Sequence, residues 1–303
     1  MMLNQNDHDG DFSPSFLGLS EAVFGDAVEA ALEYRRRGLI VTPLHGKRPI
    51  LKGWQERQLS EDELPDYFVD GRNLGIVLGG AAGLVDVDLD NPVAVAVADL
   101  LLPDTVKSGR MKNPRSHHWF VCDPAPPSRR YFLTKPMADR LMIESGEAVL
   151  VELRSTGHQT VVAPSIHPVD GDRYLWHPGE VCKIDGEVLA ELVLDVAIAA
   201  LLALNRPLGS RAWFVVHAFG FLSPRIGPER AEKIVEAASA HFDDEEHDER
   251  MLAVRSFLCK PVDDDAPMME DLLAAELERL APGVPALIER WCARDRREGG
   301  GAR

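Results

Sequence analysis

The sequence predicts an α+β fold, and three observations lead to it. Apolar residues recur with a period of two through much of the stretch from Leu74 to Trp176, as strands require. Turn residues punctuate that stretch at Asn91-Pro92, Pro124 to Pro127 and Asp170-Gly171. Beyond about residue 183 the pattern turns helical.

Taken in order, Glu21 to Arg37 reads as a helix closed by Gly38. A strand over Leu39 to Leu44 follows, then a Pro/Gly-rich turn carrying Lys47 and Trp54. Ser60 with Glu63 forms a capping box for a short second helix. Gly75, Gly79, Gly80 and Gly83 read as a turn ahead of a strand, since no lysine follows them as a phosphate-binding loop requires. Val188 to Leu204 is very apolar, but it contains Glu191 and Asp195 and is too short to span a bilayer comfortably, so it reads as a buried helix. Later helices break at Arg206 to Gly209, Ser223-Pro224, Lys260-Pro261 and Ala281 to Gly283. The expected organisation is a disordered leader (1–19), a sheet-rich domain (20–182), a connecting helix (183–206), a helical module (207–295) and a flexible tail (296–303).

Leu84 to Asp90 carries the first chemical signal. Asp86, Asp88 and Asp90 alternate with Val85, Val87 and Leu89, so a strand puts all three carboxylates on one face. Like charges so placed repel, and hard divalent ions with oxygen ligands are natural neutralisers, although a solvated strand end has the same pattern. Val149 to Arg154 repeats the device, setting Glu152 and Arg154 on one face as a third carboxylate beside a phosphate-binding guanidinium or as an ordinary surface ion pair. Between them, Lys107 to Phe120 holds four cations and two histidines with nothing acidic. His117 and His118 face opposite ways if extended, so at most one belongs with the acids.

These stretches resemble the primase–polymerase domain of the archaeo-eukaryotic primase superfamily, in the form found in plasmid, phage and integrated-element replication proteins. The resemblance covers about residues 24–176: PLHGKRPILKGW, then NLGIVLGGAAGLVDVDLD, PRSHHWF and VELRSTGHQTVVAPSIHP. It implies a primase-like catalytic domain with mixed β-sheets and flanking helices, followed by a small all-α module. It implies a nucleotidyltransferase using two Mg²⁺ or Mn²⁺ ions, a single-stranded DNA template and dNTP or NTP substrates. Asp88 and Asp90, or Asp86 and Asp88, then match the paired metal-binding aspartates, Glu152 the third acid, and His117 the nucleotide-contacting histidine. Ser116, Arg115, Arg154 and Lys112 are expected around the triphosphate, and Lys47, Arg48 and Lys52 on the template. Ser165 and His167 sit in a Pro-flanked turn where a phosphate or sugar contact and a plain turn are equally expected.

Composition bounds the rest. The four cysteines have no CxxC spacing, so no zinc is expected. The polar, acidic first residues contain no signal peptide, and no membrane segment is expected, which suits a cytoplasmic protein. A net charge of −16 opposes phosphate binding unless the surface is polarised. Arg225, Arg230, Lys233, Arg250 and Arg255 are the cations with which the helical module is expected to hold template, and a replicative helicase is a further expected partner. His217 is expected to be a satisfied core histidine, and His241 and His247 to flank a charged helix start. A metal-dependent nuclease and a catalytically silent DNA-binding initiation factor are the alternatives from other classes.

Overall fold

A computed structural model describes residues 19, 24–69, 71–144, 148–242, 245–258 and 266–299. The leader up to residue 18, Cys259, the Lys260-Pro261 break and residues 300–303 of the tail lie outside the described residues; Leu19 is buried in the core.

Helix α1 (Ala27–Arg36) begins later than Glu21, because extended Asp26 caps it by accepting a hydrogen bond from the Glu29 amide at 2.9 Å. It leads into a four-stranded sheet ordered β2-β1-β3-β9, built from β1 (Val41–His45), β2 (Arg48–Pro49), β3 (Asn73–Val77) and β9 (Gln159–Val162). Short α2 (Leu64–Tyr67) follows a turn in which the Glu63 carboxylate accepts from the amide and hydroxyl of Ser60, the reach-back half of a capping box.

The larger, seven-stranded sheet runs β10-β5-β6-β4-β8-β7, with β11 added in parallel to β6. Its strands are β4 (Leu84–Asp88), β5 (Lys107–Arg110), β6 (Asn113–Val121), β7 (Arg129–Phe132), β8 (Val149–Arg154), β10 (Tyr174–His177) and β11 (Cys182–Lys183). Two helices interrupt this strand-rich stretch, α3 (Pro92–Leu101) and α4 (Lys135–Leu141). Asn91-Pro92 is thus a helix start as well as a turn. The Asn91 side chain accepts from the Val93 amide, and Pro92 takes a first-turn position where no amide hydrogen is missed.

One face of the large sheet is apolar and covered by helices. Val85, Val87, Leu150 and Leu153 join α3 and α5 (Gly186–Leu204) in one core. That core continues without a break into α6 (Arg211–Ile226), α7 (Pro228–Ala240), α8 (His247–Leu258), α9 (Ala266–Leu280) and α10 (Val284–Gly299) through Phe219, Ile234, Val254, Leu277 and Trp291. Helix α5 is apolar on nearly every side because sheet and helices both pack on it. Helix α10 is tied back to the sheet edge, where Asp295 takes the Tyr131 hydroxyl at 3.0 Å and Arg129 at 3.0 Å. Pro224 does not end a helix; it lies inside the last turn of α6, which stops at Gly227 (φ 90°). Among the described residues no helix is long and apolar enough to cross a membrane.

Candidate active site

Register builds the site. Asp88 on β4 stands directly opposite His117 on β6 and Glu152 on β8, and Asp86 stands opposite Arg154. Directly paired residues project to the same face, so Asp86, Asp88, His117, Glu152 and Arg154 share the face not covered by helices. Gly83 (φ 58°) lets β4 begin against β6, since a Cβ there would strike the Cys122 carbonyl.

The centre of this cluster is already neutralised by protein groups. Asp86 is fully buried, and its Oδ2 accepts from the Thr160 hydroxyl at 2.5 Å and lies 3.0 Å from His117 Nδ1. Asp88 lies 3.4 Å from the same ring nitrogen and accepts from Arg154 at 3.3 Å. Arg154 also donates to the Gln159 carbonyl at 2.6 Å. Burial alone would raise Asp86, but the charge and hydrogen bond of His117, with Arg154 and Thr160, hold it below the ordinary carboxylate value. Burial would likewise lower His117, yet Asp88 and Asp86 lift it to about 9. Asp90, just past β4 at the open rim, rises to about 6 through lost water, then repulsion from Asp88 and Glu152, against the pull of His117 and Lys47.

The second sheet supplies the opposing wall, leaving a cleft of about 140 Å³. Lys47, Gln159 and Val161 line it from that sheet, and Arg110, Asn113, Ser116 and Tyr174 from strands β5, β6 and β10. Gln159 donates to the Lys47 carbonyl at 3.1 Å and so fixes the turn carrying Lys47.

The sequence-predicted residues divide sharply. Asp88, Asp90, His117, Ser116, Arg154 and Lys47 line the cleft, with Asp86 beneath and Glu152 beside Asp88 on the next strand. Arg48 and Lys52 are exposed and outside the lining. Arg154 bonds the acids, so its guanidinium is spent on carboxylates. Arg115 turns away to Asp99 at 3.2 Å, because its left-handed backbone (φ 59°) reverses the strand phase. That conformation accompanies a register shift beside Gly109, whose missing Cβ leaves room for the Arg115 amide. Lys112 pairs with Asp170 at 3.6 Å, outside the cleft. The Ser165 hydroxyl is pinned to both backbone groups of Leu74, and His167 bonds Asp170 within its turn at 2.7 Å, so the plain-turn reading fits both.

His118 is buried on the opposite face, facing α3 and Asp99, and burial pushes it down to about 4. His217 is only partly buried and bonds the Trp213 carbonyl one turn earlier, so it is not a core residue. Thr160, Gln159, Asn113 and Tyr174 were not singled out by sequence reasoning. Only the alternation of Gln159 and Thr160 after Arg154 hinted at a returning strand.

The donor set fits a hard divalent cation. One ligand atom each from Asp86, Asp88 and His117 lies within 4.8 Å of the others. Asp86 Oδ1 is buried without a hydrogen-bond partner, an arrangement that an added cation would satisfy.

A family model described as bifunctional DNA primase/polymerase, N-terminal, matches residues 31–192, more than half of the 303-residue chain. No curated protein matches the sequence. The matched span contains every strand of the cleft and every acid of the cluster, and the chain belongs to the bifunctional DNA primase/polymerase family.

Proposed function

We propose that the chain is a template-directed nucleotidyltransferase that extends or starts strands on single-stranded DNA, using divalent metal, in the replication of a plasmid, phage or mobile element. The observation that carries this reading is the face on which Asp86, Asp88 and His117 converge, with Glu152 next to Asp88 and Lys47 across the cleft. Asp86, Asp88 and Glu152 are the oxygen donors for Mg²⁺ or Mn²⁺, with Asp90 at the rim. Divalent ions so held supply Lewis acidity and charge neutralisation for in-line phosphoryl displacement.

The chain's own groups divide the remaining work. His117 gives Nδ1 to the aspartates, and its Nε2 has no partner among the described residues and is left to donate to a phosphate oxygen. Lys47 has no ion-pair partner among the described residues and offers a point charge from the opposite wall. Arg154 acts differently from the sequence expectation. It holds Asp86 and Asp88 in place and contacts phosphate only if the carboxylates release it.

The test is incorporation of labelled nucleotides on primed and bare single-stranded templates, with Mg²⁺, Mn²⁺ or chelator. Cation-dependent products that follow the template sequence are expected. Template cleavage without incorporation would replace this reading with the nuclease.

A further inference from the structure

The wall of the cleft away from the acids contains polar groups that the protein itself does not use. Tyr174 on β10 pairs directly with Arg110 on β5, and Arg110 pairs with Asn113 on β6, so the three side chains form one cross-strand row. The next row on the same face runs Trp176, Ser108, His117, Asp88 and Glu152. Along β5 and β10 the two rows are one strand period apart, about 7 Å, within the span of a single nucleotide. Arg110 is occupied by Asp170 at 3.2 Å. Its neighbours are not occupied. Tyr174 is only 4% exposed and lines the cleft, yet its hydroxyl has no hydrogen-bond partner among the described residues, and neither has the Asn113 amide.

This inference rests on the nucleotidyl-transfer reading and names its substrate more closely. With triphosphate and metal at the Asp88 and His117 row, the sugar falls beside the Tyr174 row. A phenol hydroxyl and a carboxamide each donate and accept, which matches a sugar hydroxyl and not an aliphatic carbon. We infer that Tyr174, with Asn113, reads the 2′-hydroxyl of the incoming nucleotide and makes the enzyme prefer ribonucleotides. A deoxyribose would leave the nearly buried phenol unpaired, and sites built to bond a substrate hydroxyl discriminate strongly against analogues lacking it.

The experiment compares kcat/KM for a ribonucleoside and a deoxyribonucleoside triphosphate of the same base, on a primed template with the full chain. Wild type should favour the ribonucleotide. Tyr174→Phe, which removes one oxygen and keeps the ring, should shrink that preference by roughly tenfold or more. Asn113→Ala should shift it in the same direction, and thermal melts establish that both variants fold. Equal losses for both sugars, or a wild-type preference for the deoxyribonucleotide, would overturn the inference while leaving nucleotidyl transfer intact. Incorporation of neither sugar would instead remove the underlying reading.

Discussion

The cleft and the helical region treat charge in opposite ways. Around the cleft, Asp86, Asp88, Asp90 and Glu152 face a few cations, Asp86 Oδ1 has no partner, and Lys47 has no ion pair among the described residues. In the helical region the cations are consumed. Arg230 grips Asp195 at 2.7 Å and Glu191 at 3.2 Å, fully buried Arg250 donates to Ser239, and Arg255 holds Glu232 at 2.8 Å. Arg225 pairs with Glu289 and stacks 3.8 Å above Phe221. Of the five cations expected to hold template there, only Lys233 is exposed without such a partner. A list of cations therefore says little about where nucleic acid binds. What matters is which of them the fold has left unspent.

The strongest way to break this comparison is at its acidic centre. Asp88→Asn should reduce synthesis to background in an incorporation assay and leave the melting temperature unchanged or higher, because it relieves repulsion with Asp90 and Glu152. Asp86→Ala should also silence the enzyme, but at a visible cost in stability. It strips His117, Thr160 and Arg154 of their buried partner, a loss of roughly 3–5 kcal/mol in denaturant melts. Equal stability of the two variants would show that Asp86 is an ordinary ligand and not also the keystone of the cluster.

Next in size is a cut after Arg206. Helix α5 buries Leu194, Ile198, Leu201 and Leu202 in a core shared with α6, α7 and α10. A fragment ending there should show no cooperative thermal transition, contrary to the separable module that the change of sequence period suggests. A sharp melt with retained primer extension would restore that module as an independent unit.

Smaller effects sharpen the contrast between spent and unspent cations. Arg230→Ala should cost about 2 kcal/mol, since it leaves Asp195 buried and unpaired, with single-stranded DNA affinity unaltered. Lys47→Ala should do the reverse, keeping stability and lowering the salt dependence of DNA binding by about one phosphate contact. The smallest effect belongs to the covered face. His118 is held neutral, with its folded value near 4 below the ordinary 6.5, so the unfolded chain binds more protons between those values. Stability linked to His118 is complete above pH 6.5 and falls as pH drops toward 4. His118→Leu should flatten the pH dependence of melting in that window.

Much of the acidic centre was legible in the sequence, because a period of two is a direct statement about faces. It placed Asp86 with Asp88 and Glu152 with Arg154, and it required His117 and His118 to separate. The same rule failed at Arg115, where one left-handed residue reverses the phase and sends the guanidinium to Asp99. Period also cannot show which strands of two different sheets meet, so the Thr160 hydroxyl on Asp86 and the Lys47 turn held by Gln159 emerged only in three dimensions. Tyr174 escaped for a related reason. Its place in the cleft depends on β10 pairing with β5, a contact between residues more than sixty positions apart in the chain.

The central claim is that the unspent charges of the cleft gather metal and nucleotide together, while the helical cations serve packing. Calorimetric titration of Mn²⁺ into the full chain, with and without a nucleoside triphosphate, tests it most directly. Wild type and Arg230→Ala should bind Mn²⁺ with similar affinity, each more tightly when nucleotide is present, and Asp88→Asn should lose both the ion and the coupling. Unchanged Mn²⁺ binding in Asp88→Asn, or its loss in Arg230→Ala, would contradict the account.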